Sequence, residues 1–208
     1  MNAVRRVYLL GAGGFSKQVI DAFLASNITI GGIFDDYRTG IFYRHTQILG
    51  SINSVESTIN HGESLFITFG DNNIRHAIAT KYLSNYDFPN CIRPNSDIPH
   101  DTCKLGRGNY IGSYVKLGED SIIGDFNFIN ECAILAHDTC IGNFNHLCPN
   151  VSLGGNARIG DCNLIGTGAV ILPKIEIGNN NSCGAGSVII RNIENAATYV
   201  GNPARQIK

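Results

Sequence analysis

From Leu105 onward the chain places an aliphatic residue at every sixth position. Leu105, Ile111, Leu117, Ile123, Ile129, Leu135, Ile141, Leu147, Leu153, Ile159, Ile165, Ile171, Ile177, Cys183 and Ile189 follow without a slip, and glycine comes directly after ten of these fifteen. A period of six fits neither the 3.6 of a helix nor a plain alternation, but it suits a coil of three short strands with a corner after each. The spacing predicts aliphatic side chains inside a three-sided prism, glycines that help turn the corners, eighteen residues per coil and coils stacked at about 4.8 Å. Ile92 and Ile98 start one residue out of phase, so the solenoid is expected from about Pro89 to Arg191.

The first part of the chain has a different rhythm. Val7 to Leu10 reads as a short apolar strand, Gly11-Ala12-Gly13-Gly14 as a turn and Ser16 to Ala25 as a helix. A second strand from Ile28 to Phe34 ends in Asp35-Asp36. A third, Leu65 to Phe69, leads through Gly70 into a helix from about Ile74 to Ser84, with Asp71 or Asn72 as N-cap. The order β-α-β-β-α implies a small parallel sheet, and Ile41 to Gly62 reads partly as loop. The fold class is therefore mixed: a small N-terminal Rossmann-like α/β domain (residues 1–88) followed by a hexapeptide-repeat parallel β-helix with a C-terminal tail (residues 89–208).

Charge narrows the function. Sixteen Lys plus Arg against seventeen Asp plus Glu, with no basic block, remove the footprint expected of a nucleic-acid or anionic-membrane binder. The apolar run Val7–Leu10 is too short for a signal segment or a membrane span, so a cytoplasmic protein is expected. Seven cysteines without a CxxC pair suggest reduced structural thiols and no zinc site.

Three features carry chemistry. Gly11-x-Gly13-x-x-Ser16 between a strand and a helix is most of a dinucleotide fingerprint, and Asp35 and Asp36 stand where an acidic residue meets a ribose or base. The room before the hexads is too small for a full dinucleotide domain, so a single nucleotide or nucleotide-sugar is expected. His137, next to Asp138, lies two places past a core position, outside the aliphatic column, and the wall around it departs from the glycine rule at Asn130, Ala136 and Cys148. An imidazole oriented by a carboxylate is a competent base. Eighteen residues on from His137 is Gly155, whose amide is placed to receive an oxyanion. A purely structural solenoid, or a carbonic-anhydrase-like member with three histidines on zinc, is disfavoured because no other imidazole sits at coil spacing.

With these residues the chain resembles the nucleotide-aminosugar N-acetyltransferases of the hexapeptide-repeat, sialic acid O-acetyltransferase-like group, and most of all the UDP-4-amino-sugar acetyltransferases. The resemblance runs through Gly11–Gly14, Phe34-Asp35-Asp36, Gly70–Arg75, Ile134–Asp138, Phe144-Asn145-His146 and Val200–Arg205. It implies a left-handed β-helix, acetyl-CoA as co-substrate, His137 as base and Asp138 as its support. It further implies nucleotide-sugar contacts at Gly13, Gly14, Phe15, Asp35, Asp36 and Gly70, an acceptor-side contact at Asn130, and coenzyme A contacts at His146, Gly155, Thr167 and Ala185. Phe15 departs from the family, where a histidine is frequent. A wall-mounted His137 forms half a cleft, so a homotrimer is expected, a neighbouring prism supplying the other wall. Sugar O-acetylation and a non-catalytic nucleotide-binding solenoid are the alternatives.

Overall fold

The computed structural model describes residues 6–38 and 42–207. The chain divides into two compact units, Met1–Pro94 and Asn95–Lys208. The boundary falls six residues beyond the expected 88/89. Leu65 N–H donates to the Asp87 carbonyl (2.8 Å), Asp87 N–H to Glu63 (3.1 Å), and the buried Cys91 thiol meets the Val19 carbonyl (3.8 Å). Those bonds hold residues 87–91 in the first unit.

That unit runs β1 (Arg6–Leu10), α1 (Ser16–Ala25), β2 (Thr29–Phe34), β3 (Phe42–Tyr43), β4 (Thr46–Gly50), α2 (Val55–Thr58), β5 (Ser64–Ile67) and α3 (Asn72–Tyr82). The strands lie in the order β3-β4-β2-β1-β5, parallel except for the β3–β4 hairpin. Strand β1, flanked by β2 and β5, is buried from Val7 to Leu10, the continuous apolar run that a strand covered on both faces needs. Helix α1 buries Val19, Ile20, Ala22 and Phe23, and Phe23 meets Phe66 edge-on at 5.3 Å. Asp71 caps α3 by accepting from Ile74 N–H at 2.9 Å. The stretch from 41 to 62, read partly as loop, contains the hairpin and α2. Its turn is made by Arg44 and His45 with φ of 46° and 64°, a left-handed pair usually signalled by Asn-Gly, so the sequence cue was missing.

In the second unit fifteen two-residue strands form three parallel ladders of five. Face one starts at Lys104–Leu105 and continues through Ile122–Ile123, Cys140–Ile141, Arg158–Ile159 and Glu176–Ile177. Face two runs from Tyr110–Ile111 to Ser182–Cys183, and face three from Lys116–Leu117 to Val188–Ile189. Every partner is eighteen residues away, as in Ile123↔Ile141. The aliphatic column is buried from Ile111 to Ile189. A hairpin of Thr198–Gly201 and Ala204–Gln206 ends face two.

 Within that hairpin Gly201 pairs with Ala204 and Val200 with Arg205.

The corners correct one expectation. The glycines after the aliphatic positions do not turn the chain; they let successive coils approach. A Cβ at Gly112 would lie 2.7 Å from the Glu131 nitrogen, and one at Gly166 would lie 2.6 Å from the Ala185 nitrogen. The turn itself is made two residues later. Fourteen consecutive positions from Gly108 to Gly186 have positive φ, and only three of them are glycine. None of the other eleven is β-branched, the class that tolerates this region least.

A second buried column, unforeseen in the sequence, lies two residues before the aliphatic positions, half-buried only at Cys103 and Ile175. At the corner between faces one and two it is asparagine five times over: Asn109, Asn127, Asn145, Asn163 and Asn181. The Oδ1 of each of the first four accepts the backbone N–H of the next asparagine (2.7–2.8 Å), and Asn181 Oδ1 accepts that of Ala197 (3.0 Å). The side-chain amides of the first four donate to the carbonyls of Gly124, Gly142, Gly160 and Gly178. An outer column runs the other way: Arg107, Asp125, Asn143, Asp161 and Asn179 each donate N–H to the side chain one coil on. All seven cysteines are unpaired, and burial pushes the Cys183 thiol up to about 11 and Cys91 higher still. Among the described residues no helix is long and apolar enough to cross a membrane.

Replacing Asn145 with Ala strands two buried backbone groups, the Asn163 N–H and the Gly160 carbonyl. We expect a loss of about 2–4 kcal/mol in denaturant unfolding, against about 1 kcal/mol for Asp161→Ala, where water can replace the carboxylate.

Candidate active site

His137 and Asp138 form the corner between faces three and one. The His137 Nδ1 lies 2.7 Å from Asp138 Oδ2, and both side chains are half or more exposed. Asp138 occupies the turn position with φ 59°, which swings its carboxylate back onto the preceding ring. With Nδ1 engaged, Nε2 is the nitrogen left for chemistry.

Gly155 lies directly against that nitrogen. A Cβ built on it would stand 2.7 Å from Nε2 and 2.8 Å from Cε1, so the imidazole fills the space a side chain would take. The neighbouring amides are engaged: Gly154 N–H bonds to Ile171 (2.9 Å) and Asn156 N–H to the His137 carbonyl (3.0 Å). Among the described residues the Gly155 N–H has no acceptor. The outer Asp/Asn column that caps the equivalent amides at the asparagine corner is absent here, so this corner offers bare donors.

The remaining acetyl-CoA expectations fall elsewhere on the prism. Thr167 and Ala185 are exposed and stack one coil apart at the corner between faces two and three, and His146 stands on face two, edge-on to Phe128 at 5.9 Å. Face three thus separates Thr167 and Ala185 from Gly155. Asn130 is buried at 5% exposure, and its amide donates to the Leu147 carbonyl at 2.9 Å, which ties that side chain into the wall.

The first unit carries its own recess. Gly11 has φ 108°, and a Cβ there would strike Thr68 Oγ1 at 2.7 Å and Phe69 Cε2 at 2.9 Å, so the loops after β1 and β5 press together where the strand order reverses. Gly13 and Gly14 are exposed with nothing within 4 Å of a built Cβ. The Gly13 carbonyl is drawn away by Tyr43 Oη–H (2.9 Å) and Ser16 Oγ–H (2.5 Å), and Phe15, which has no capping side chain, opens α1. Arg75, fully buried, donates to the carbonyls of Phe69 (3.0 Å) and Gly70 (3.2 Å).

The two acidic residues after β2 separate. Asp35 is turned inward and accepts from the N–H groups of Ala12 (2.7 Å), Tyr37 and Arg38 (both 3.0 Å), so it shapes the glycine loop instead of facing a ligand. Asp36 is exposed; its Oδ1 accepts from Ile52 N–H (2.8 Å). Beside it opens a cavity of about 370 Å³ whose apolar walls include Ile52, Phe69, Ile74, Ala77 and Ile78. Nothing in the 41–62 stretch had pointed to Ile52 or Asn53 as part of a pocket. The signal lay in α3, whose apolar Ile74 and Ile78 face outward while Arg75 is buried.

Residues 6–82 match the PglD N-terminal domain family. The whole chain superposes on the acetyltransferase domain of PglB from Neisseria gonorrhoeae in complex with acetyl coenzyme A (TM-score 0.92, 27% identity, 99% of this chain and 100% of that one). It also superposes on a mutant perosamine N-acetyltransferase from Caulobacter crescentus in complex with CoA and GDP-perosamine (TM-score 0.88, 27% identity, 99% and 98%). Over nearly its whole length the chain is similar to hexapeptide-repeat nucleotide-aminosugar N-acetyltransferases. Its prism is accordingly their left-handed parallel β-helix. WeeI from Acinetobacter baumannii is similar over the same length (TM-score 0.82, 25% identity, 98% and 100%). An uncharacterised protein, L142, of Acanthamoeba polyphaga mimivirus is 47% identical over 120 residues, which are 58% of this chain and only 24% of the viral protein.

The missing side chain at Gly155 is testable by itself. Gly155→Ala adds one methyl group that must displace the imidazole, and φ there is unexceptional, so the fold should persist. We expect kcat to fall about 10²-fold, the scale set by a misplaced base. Thermal melts of Gly155→Ala, His137→Ala and the double variant should be non-additive, because removing the ring removes the clash.

Proposed function

We propose that this chain transfers the acetyl group of acetyl-CoA to the amine of a nucleotide-linked amino-deoxy sugar, with a UDP-4-amino-4,6-dideoxyhexose as the substrate. The observation that carries the reading is the His137 ring, held by Asp138 on one side and packed on Gly155 at the other. The bound CoA and GDP-perosamine of the Caulobacter relative, and the acetyl coenzyme A of the Neisseria one, support the substrate classes.

The step then runs as follows. The amine nitrogen attacks the thioester carbonyl while His137 Nε2 takes its proton, and Asp138 stabilises the imidazolium through Nδ1–H. The carbonyl oxygen gains negative charge and is received by the Gly155 N–H, a donor commonly worth about 3 kcal/mol. Collapse breaks the C–S bond, and the leaving thiolate recovers the proton from Nε2. The nucleotide is held by the first unit: a diphosphate at the open Gly13-Gly14 loop and the N-terminus of α1, the base in the cavity beside Asp36. His146, Thr167 and Ala185 line the coenzyme. O-acetylation of a free sugar acid would use the same base, but it gives no role to the glycine loop and its neighbouring cavity.

Because Thr167 and Ala185 stand at a different corner from His137, we also propose a cytoplasmic homotrimer in which adjacent prisms face corner to corner and share each coenzyme. Light scattering should give three times the chain mass; a monomer with full activity would remove this arrangement. For the base, His137→Ala should lower kcat roughly 10²- to 10⁴-fold in steady-state assays that follow coenzyme A release. Asp138→Asn should cost less, and it keeps a residue that accepts positive φ. A His137→Ala protein with near-normal kcat at saturating substrates would take the base away from this position.

A further inference from the structure

The corner between faces two and three is lined, coil after coil, by uncharged residues from Ser113 and Tyr114 up to Ala185 and Gly186, with one exception. Glu131 is the charged residue of that column, and its carboxylate is held in place. Tyr110 Oη–H, on a side chain with no exposed surface, donates to Glu131 Oε1 at 2.9 Å, and the Tyr110 ring packs edge-on to Phe128 at 6.2 Å. The backbone is fixed from both sides. The Glu131 carbonyl accepts Asn150 N–H (3.0 Å), and Cys132 N–H donates to the Ser113 carbonyl one coil back (2.9 Å). Glu131 is half-buried and forms no ion pair among the described residues, so Oε2 remains an acceptor with its direction already set.

Glu131 and His137 are six residues apart, so in a coil that rises about 4.8 Å over eighteen residues they differ in height by only about 1.6 Å. Within one chain face three lies between them. That face points Ile134, Ser152, Val170 and Val188 outward above Lys116, whereas face one presents Lys104, Arg158 and Glu176. An uncharged face turned to a three-fold axis brings the corner on one side of it against the corner on the other side in the next copy, and rotation without translation keeps their heights equal. In the trimer proposed above, Glu131 of the partner subunit therefore comes level with His137.

Resting on that arrangement and on the N-acetylation reading, we propose that Glu131 completes the site across the interface as the residue that selects an amine acceptor over a hydroxyl. An amine brings two N–H bonds to the thioester. His137 Nε2 takes one proton as the nitrogen lone pair bonds to the acetyl carbon, and the departing thiolate recovers it when the C–S bond breaks. The second proton stays on nitrogen, becomes the amide N–H, and is bonded to Glu131 Oε2 throughout. That bond aims the lone pair and offsets the positive charge that nitrogen gains during attack. A hydroxyl brings one proton only. Once His137 has it, Glu131 Oε2 faces nothing but oxygen lone pairs, and a polar site with an unmatched partner rejects such an acceptor strongly.

The test compares a UDP-4-amino-4,6-dideoxyhexose with the UDP-6-deoxyhexose that carries a hydroxyl in place of the amine, following coenzyme A release by the full-length protein. Glu131→Gln should lower kcat/KM for the amine about 30-fold while KM for acetyl-CoA stays within about twofold of normal. The Gln oxygen can keep the Tyr110 bond, which turns its amide N–H toward the acceptor, so the amine-to-hydroxyl ratio should fall about tenfold or more. Tyr110→Phe releases the carboxylate and should give a smaller loss in the same direction. Chains carrying His137→Ala and chains carrying Glu131→Gln are then co-expressed with different tags and purified through both. In every mixed trimer one interface joins an intact His137 to an intact Glu131, so activity should rise well above either parent, to about one third of the wild-type value. Such recovery also shows that both variant chains fold and assemble. Unchanged kcat/KM in Glu131→Gln, an unchanged amine-to-hydroxyl ratio, a wild-type preference for the hydroxyl, or mixed trimers no more active than their parents would each overturn the proposal. A wild-type protein that acetylates neither acceptor overturns the enzymatic reading itself, and an active monomer in light scattering overturns the trimer; where transfer and trimer both hold, only the assignment of Glu131 is at stake.

Discussion

Everything in the second unit depends on one constraint: each strand of the prism pairs with a counterpart one full coil away, with the register held at eighteen. Ile122 pairs with Cys140, its N–H reaching the Thr139 carbonyl, and the same relation recurs around the prism. Stacking like on like at strand spacing leaves no room for Cβ atoms where coils press together, hence the glycines, and it lines up asparagines so that each satisfies the backbone of the next. The same register sets Gly155 against His137. The proposed chemistry therefore needs no flexible loop; two rigid corners bring the base and the amide together.

The asparagine corner and the histidine corner use the same backbone for opposite ends. At the first, two side-chain columns occupy the corner amides and carbonyls, which makes that edge self-sufficient. At the second the side-chain bonds are confined to its first coils, at Thr102, Ser121 and Thr139, and among the described residues the amide beside the imidazole is left open. The first unit shows a similar division between Asp35 and Asp36: adjacent in sequence, one is consumed by three backbone donors, and the other keeps an oxygen for a ligand.

Much of this was legible in the sequence because a period of six over fifteen positions leaves few alternatives, and because the His137, Asp138 and Gly155 positions follow by counting coils. What was not legible has physical causes. The corner glycines were assigned to turning because glycine usually supplies positive φ, yet Tyr114, Phe126, Lys174 and others hold that conformation here, fixed by the ladders on either side. The hairpin at Phe42–Gly50 was hidden by its Arg44-His45 turn. Asp35 could not be told from Asp36, since only the path of the backbone decides which carboxylate meets three amides.

The prism has two periods, and they are not equivalent. Its interior repeats every six residues, because any hexad places an aliphatic side chain inside, whereas its special corners repeat only every eighteen. Adding or deleting one hexad between His137 and Gly155 would leave every aliphatic position filled, while breaking the asparagine column at Asn145 and carrying Gly155 to another edge of the prism, away from the imidazole. The aliphatic interior is indifferent to thirds of a turn, but the asparagine corner and the site accept only whole turns. A lineage of such chains can thus lengthen freely beyond the site on either side, while the segment joining base to amide is locked in length.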